Sequence, residues 1–253
     1  MISRMRTHHW MLIAVFSCAP LWPQADKVDW AVLPVRDGKP QFERVEIKPG
    51  EQLQFQIASS SARVGSAEAL PYTKSHGTAT WSIEPAGLGV TVNAAGKVAA
   101  STAAKPGKYF LTVRMGSESH KNDFVVYDPQ AVPLKGNWTE KAELSCDGRE
   151  VPPAAPLREL IFSADGHFSA TWLPFETRQD YWGVYTYDLK SQKLALHPER
   201  GNYLPTDISP EGKALIDKAG RLVVSGARFG TPPNLAMPGG KASPSCGSIF
   251  VRK

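Results

Sequence analysis

Cysteine is scarce in this chain of 253 residues: there are three, and Cys18, Cys146 and Cys246 lie far apart. Neither Cys-x-x-Cys nor His-x-x-x-His occurs, and His76, His120, His167 and His197 are scattered, so no metal-ligand spacing is present. Long apolar runs are also missing. The longest, Trp10 to Phe16 (WMLIAVF), is far shorter than the roughly 20 residues a membrane-spanning helix needs, so no transmembrane segment is expected in a mature chain. Charge of one sign is not in marked excess, with 29 Lys and Arg against 24 Asp and Glu. No basic run or stripe accompanies the pI near 9.1, which argues against a nucleic-acid partner. There is no Gly-x-Ser-x-Gly elbow, and Gly239-Gly240-Lys241 lacks the upstream glycine and strand–helix setting of a phosphate loop. No apolar period of 3.6 residues persists over three turns, which excludes a helical architecture. No cofactor is implied.

What is present begins with residues 1–25. Arg4 and Arg6, the short apolar run and the helix-breaking Pro20 and Pro23 have the layout of a signal peptide. Cleavage after Ala25 would release a periplasmic or secreted protein. Alternatively, Val15-Phe16-Ser17-Cys18 resembles a bacterial lipobox, which would make Cys18 the lipid anchor and tie the protein to the envelope. Either route leaves Cys146 and Cys246 in the folded part. Export to an oxidising compartment predicts a disulfide between them.

Between residues 26 and 128 the apolar pattern has a period of two. Leu53, Phe55 and Ile57 alternate with Gln52, Gln54 and Gln56; Tyr109, Leu111 and Val113 alternate likewise; Trp81 and Ile83 share a face with Ala79. Asn93-Ala94-Ala95-Gly96 reads as a hairpin connection. About seven strands in this length, with frequent turns, predict a β-sandwich. The stretch ATWSIEPAGLGVTVNAAGKVAASTAAKPGKYFLTV, residues 79–113, resembles bacterial Ig-like domains of the Big type. That resemblance implies an Ig-like sandwich with Trp81 in its core, no disulfide, and a spacer or adhesion role. Residues 59–77 depart from it as a long polar loop, in which Tyr72, Lys74 and His76 are candidate contacts.

Residues 129–133 read as a linker held extended by its prolines. From residue 134 to 253 short strands follow one another. Ser163-Ala164-Asp165-Gly166 marks a hairpin, and Lys218-Ala219-Gly220 another turn. Tyr181, Gly183, Tyr185 and Tyr187 fall on one face, opposite Trp182, Val184 and Thr186. His197-Pro198-Glu199 reads as a turn. Eight strands without a helix predict a small closed antiparallel barrel, giving an all-β chain: a sandwich followed by a barrel. Gly136-Asn137-Trp138 and the series LxFSxDGxF, WGxY and LxL are similar to META-like and lipocalin-like (calycin-type) domains. That resemblance implies a barrel with an apolar cavity. In a closed barrel the first and last strands are neighbours, so Cys146 after the first strand and Cys246 before the last would meet.

The densest polar and aromatic stretch is residues 172–182. Trp172, Glu176, Arg178, Asp180, Tyr181 and Trp182 are the candidate ligand contacts, set at a barrel mouth. Glu176 and Asp180 are a carboxylate pair of the kind glycoside hydrolysis uses. Asn137-Trp138-Thr139 matches a glycosylation sequon but borders a strand. The expected function is an exported, non-enzymatic envelope protein binding a small molecule, glycan or envelope partner through the barrel. The alternatives are a structural or adhesive protein with a solid barrel core, and a hydrolase built on Glu176 and Asp180.

Overall fold

The computed structural model describes residues 29–40, 44–60, 73–74, 78–173, 179–231 and 245–253. The described residues are all-β, with strands and no helix. The proposed signal segment, Cys18, Tyr72, His76, Glu176 and Arg178 lie outside them.

The first half contributes β1 (Asp29–Arg36), β2 (Lys39–Pro40), β3 (Glu46–Ile47), β4 (Gln52–Ser60), β5 (Thr73–Lys74), β6 (Thr80–Glu84), β7 (Val90–Val92), β8 (Lys97–Ala100), β9 (Gly107–Met115) and β10 (Glu118–Val126). One sheet runs β2-β1-β4-β8-β7, with β5 on β4; the other runs β3-β10-β9-β6. Their facing sides share one hydrophobic cluster. Val32, Leu53, Phe55 and Val98 come from the first sheet, and Ile47, Tyr109, Leu111, Val113 and Phe124 from the second. The alternation in β4 and β9 is what delivers them: every second side chain points inward. The arrangement is a sandwich.

Three local expectations shift. The core centres on Phe55, Tyr109 and Phe124, whose rings lie 5.6 to 6.3 Å apart. Trp81 is only half-buried and packs at the edge of that cluster. Its ring covers Gly96, where a Cβ would come within 2.7 Å of Trp81 Cζ2; the residue also has φ +77°, so glycine is required on both counts. The loop expected from residue 59 begins later, because Ser59 and Thr73 pair as part of β4 and β5. The linker is not extended: Ala131 and Val132 N–H both donate to Asp128 C=O, and Asp128 Oδ1 accepts from Gln130 N–H. The Asp128 carboxylate favours a turn there over the extended form its prolines suggested.

The second half forms β11 (Gly136–Ser145), β12 (Glu150–Val151), β13 (Glu159–Phe162), β14 (His167–Leu173), β15 (Gln179–Tyr187), β16 (Lys193–Gly201), β17 (Glu211–Ile216), β18 (Leu222–Ser225) and β19 (Ser245–Arg252). Setting aside the short β12, each strand from β11 to β19 pairs antiparallel with the next, and β19 pairs back with β11. This closes an eight-stranded barrel. Cys146 and Cys246 form a disulfide with Cα atoms 4.9 Å apart. Cys246 lies within β19 rather than ahead of it, since pairing with β11 extends to Ser245. His197-Pro198-Glu199 is also strand, inside β16. A bulge between Trp182 and Gly183 sets Pro198 opposite Gly183, so the proline disturbs no regular ladder there.

The barrel interior is filled. Among the described residues, eighteen buried side chains form one cluster, including Leu134, Trp138, Phe162, Phe168, Trp172, Tyr181, Tyr185, Leu196, Phe229 and Phe250. Eight strands enclose a space just wide enough for side chains to fill. The tyrosines of β15 tether its inward face. Tyr181 Oη donates to Phe229 C=O at 2.8 Å, Tyr185 Oη to Ser163 C=O at 2.9 Å and Tyr187 Oη to Ala214 C=O at 2.9 Å. One end is closed by Trp138, whose indole N–H donates to Leu134 C=O at 2.8 Å while the Arg252 guanidinium lies 4.6 Å from the ring centroid.

Candidate functional site

Of the side chains expected to contact a ligand, Trp172 and Tyr181 share the inward face of β14 and β15, while Asp180 and Trp182 lie on the other face. Trp172 and Tyr181 are buried in the barrel core with ring centroids 5.8 Å apart. Burial away from water holds the Tyr181 phenol well above the usual range, so it stays neutral and donates. Asp180 is buried as well, and its main chain is fixed by Asn202: Asp180 N–H donates to Asn202 Oδ1, and Asn202 N–H to Asp180 C=O. Trp182 is 43% exposed. The strand alternation that buries Tyr181 and Gly183 is what turns Trp182 outward.

That outward row runs across four strands. Asn137 pairs with Ile161, Ile161 with Ser169 and Ser169 with Trp182. Beside it, Glu159 pairs with Thr171 and Thr171 with Asp180. Asn137 Nδ2 donates to Glu159 Oε1 at 2.8 Å, while Asn137 Oδ1 is buried without a partner. The sequon asparagine is thus a wall residue whose amide nitrogen is already engaged.

This face of the barrel does not look straight into solvent. The β3 strand of the sandwich and the residues before it stand over it and leave a cleft of about 510 Å³, lined among others by Arg36, Arg44, Glu46, Lys135, Asn137, Glu159, Ser169, Thr171 and Trp182. A second, more open groove of about 1130 Å³ lies on the other side of Arg44, against β10 and the 164–167 hairpin. The halves meet between them. Glu46 Oε1 accepts from Ala164 N–H at 2.6 Å, and Glu46 Oε2 pairs with Lys135 Nζ at 3.0 Å in a mostly buried position. Lys135 Nζ also lies 4.6 Å from the Tyr127 ring centroid. Arg44 pairs with Asp165, and His167 Nδ1 lies 3.0 Å from Asp165 Oδ1.

No family model, curated protein or solved structure matches the chain.

The sequence singled out Trp182 and Asn137 for different reasons, and the fold places both on the same wall. It did not single out Arg44, Glu46, Lys135 or Glu159. The one available signal was the turn-forming Ser163-Ala164-Asp165-Gly166, whose free main-chain N–H and carboxylate meet Glu46 and Arg44. Among the described residues no group of three His, Cys, Asp or Glu side chains is arranged to hold a metal ion. No described helix is long and apolar enough to cross a membrane.

The most displaced acid in the barrel is elsewhere. Glu140, on β11, is largely buried, and desolvation lifts its pKa to about 7, with the nearby Glu143 charge adding to the rise. Glu140 Oε2 accepts from Leu157 N–H at 2.9 Å. That contact ties the 152–158 segment to the barrel wall and gives Glu140 a structural task.

Proposed function

We propose that this is an exported, non-enzymatic protein of the bacterial cell envelope that binds a small molecule, glycan or envelope partner at its outer surface. The working surface is the cleft between sandwich and barrel. The observation that carries this reading is the contrast between the two sides of β15. Its inward tyrosines are tethered within a filled core, whereas Trp182 stands exposed on the wall of an open cleft. A large exposed aromatic beside polar side chains is the usual make-up of a recognition site. The disulfide agrees with an oxidising compartment, and the signal-like segment with export through either release or lipidation at Cys18.

The filled interior also supports the structural or adhesive reading, in which the barrel is a rigid platform and not a container. The two readings share one surface and differ in what occupies it. The test is co-sedimentation of the purified protein with an envelope fraction of its source cells. Wild type is expected in the pellet and Trp182→Ala in the supernatant, with the fold of the variant checked by its unfolding midpoint. Equal pelleting of both proteins, or of neither, would overturn the assignment of the cleft.

A further inference from the structure

Arg44, Asp165 and His167 meet where sandwich and barrel touch, and one imidazole nitrogen faces both of its neighbours. His167 Nδ1 lies 3.0 Å from Arg44 Nη1 and 3.0 Å from Asp165 Oδ1, while Arg44 also pairs with Asp165 Oδ2. A guanidinium only donates and an ionised carboxylate only accepts. Nδ1 therefore accepts from Arg44 when bare or donates to Asp165 when protonated, and it cannot do both. With Nδ1 bare, Arg44 of the sandwich is held by two barrel side chains. With the imidazole charged, Asp165 is shared between two cations and Arg44 faces a like charge at contact distance. The His167 side chain is 38% exposed, so protons reach it from solvent. Arg44 and His167 also border both cavities, the cleft of about 510 Å³ and the groove of about 1130 Å³.

We infer that these three side chains form a proton-operated clasp, closed while His167 is neutral and released when protonation turns its Nδ1 from Arg44 to Asp165. Release lets Arg44 leave the partition between cleft and groove and opens one into the other. The inference does not depend on what the cleft binds. Glu46 keeps the halves together throughout, because its bonds to Ala164 and Lys135 do not involve His167. Other charged groups surround the clasp. Glu46 and Asp165 both act on the Tyr185 phenol, Asp123 of β10 pairs with Lys108 and senses Arg44, and His197 of β16 stands beyond Val184 in the row that His167 begins. Histidine is the side chain that ordinarily changes charge between pH 5 and 8, which sets the working range. Glu140, on β11, titrates in that range too, but its carboxylate lies against Leu157 and away from the clasp.

The test is NMR of the purified protein between pH 8 and pH 5 with a neutral gadolinium chelate in solution. Val45 borders both cavities beside Arg44, so the relaxation enhancement of its methyl groups reports whether the partition is closed. In wild type the enhancement should rise as His167 takes up its proton. In His167→Gln it should stay low at both ends of the range, and in Arg44→Gln high at both; His197→Gln should behave as wild type. By reciprocity, His167 should bind its proton about threefold more tightly in Arg44→Gln than in wild type, read from its Cε1–H resonance. A Val45 response that is flat in wild type, persists in His167→Gln or disappears in His197→Gln would overturn the clasp. An unchanged His167 titration in Arg44→Gln would do the same.

Discussion

Single residues set the geometry of the barrel wall in two places. Gly183 stands where a Cβ would come within 2.0 Å of His197 C=O, main chain that cannot yield as a side chain would. Gly183→Ala is therefore expected to lower stability by about 3 kcal/mol, read from the urea midpoint, because the β16 main chain packed against that position leaves no room for a methyl group. Glu140 has the opposite character. Its folded pKa, about 7, lies above its ordinary value of 4.5. Between those values the unfolded chain releases the proton and the folded one keeps it. Stability should thus fall as pH rises from about 4.5 to 7, by about 3 kcal/mol, and level off above. Glu140→Gln should remove that slope while keeping the Leu157 contact; an unchanged slope in the variant would assign the pH dependence to another group.

At the scale of elements, alternation was the most readable feature. The periods in β4, β9 and β15 place Leu53, Phe55, Tyr109, Leu111, Tyr181 and Tyr185 inside, as their spacing indicates. Local turn chemistry was equally readable at Asn93, whose Oδ1 accepts from both Ala95 N–H and Lys97 N–H. Where the reading failed, a non-local partner decided. Pro198 sits in β16 because a bulge at the neighbouring Glu199 accommodates it, and Trp81 sits at the edge because Phe55 and Phe124, remote in sequence, take the centre. The disulfide was readable as a consequence of closure, and it ties β11 to β19 across 100 residues. Replacing both Cys146 and Cys246 by Ser should destabilise the barrel by up to about 4.7 kcal/mol, the loop-entropy figure for that length. Reductant should lower the Tm of wild type and leave the double variant unmoved.

The whole molecule depends on a junction that no local pattern announces. Glu46 belongs to the sandwich, yet it accepts from Ala164 in a barrel hairpin and pairs with Lys135 just ahead of β11. Glu46→Ala would leave the Ala164 N–H without its acceptor and Lys135 without its carboxylate, a loss of about 1–3 kcal/mol. In calorimetry the two halves should then melt more independently, with two resolved transitions in place of a more cooperative one. The candidate site was half readable for the same reason. Trp182 is a visible aromatic, but the cleft beside it exists only because the sandwich folds over the outer face of the barrel.

In the proposed function the outer cleft, and not the barrel interior, meets the ligand. Hydroxyl-radical footprinting of the protein with and without its source envelope fraction tests it most directly. Trp182 should be strongly oxidised in the free protein and protected on binding, with little oxidation of Trp138 and Trp172 in either state. An unchanged rate at Trp182, or a binding-dependent change confined to Trp138 and Trp172, would contradict it.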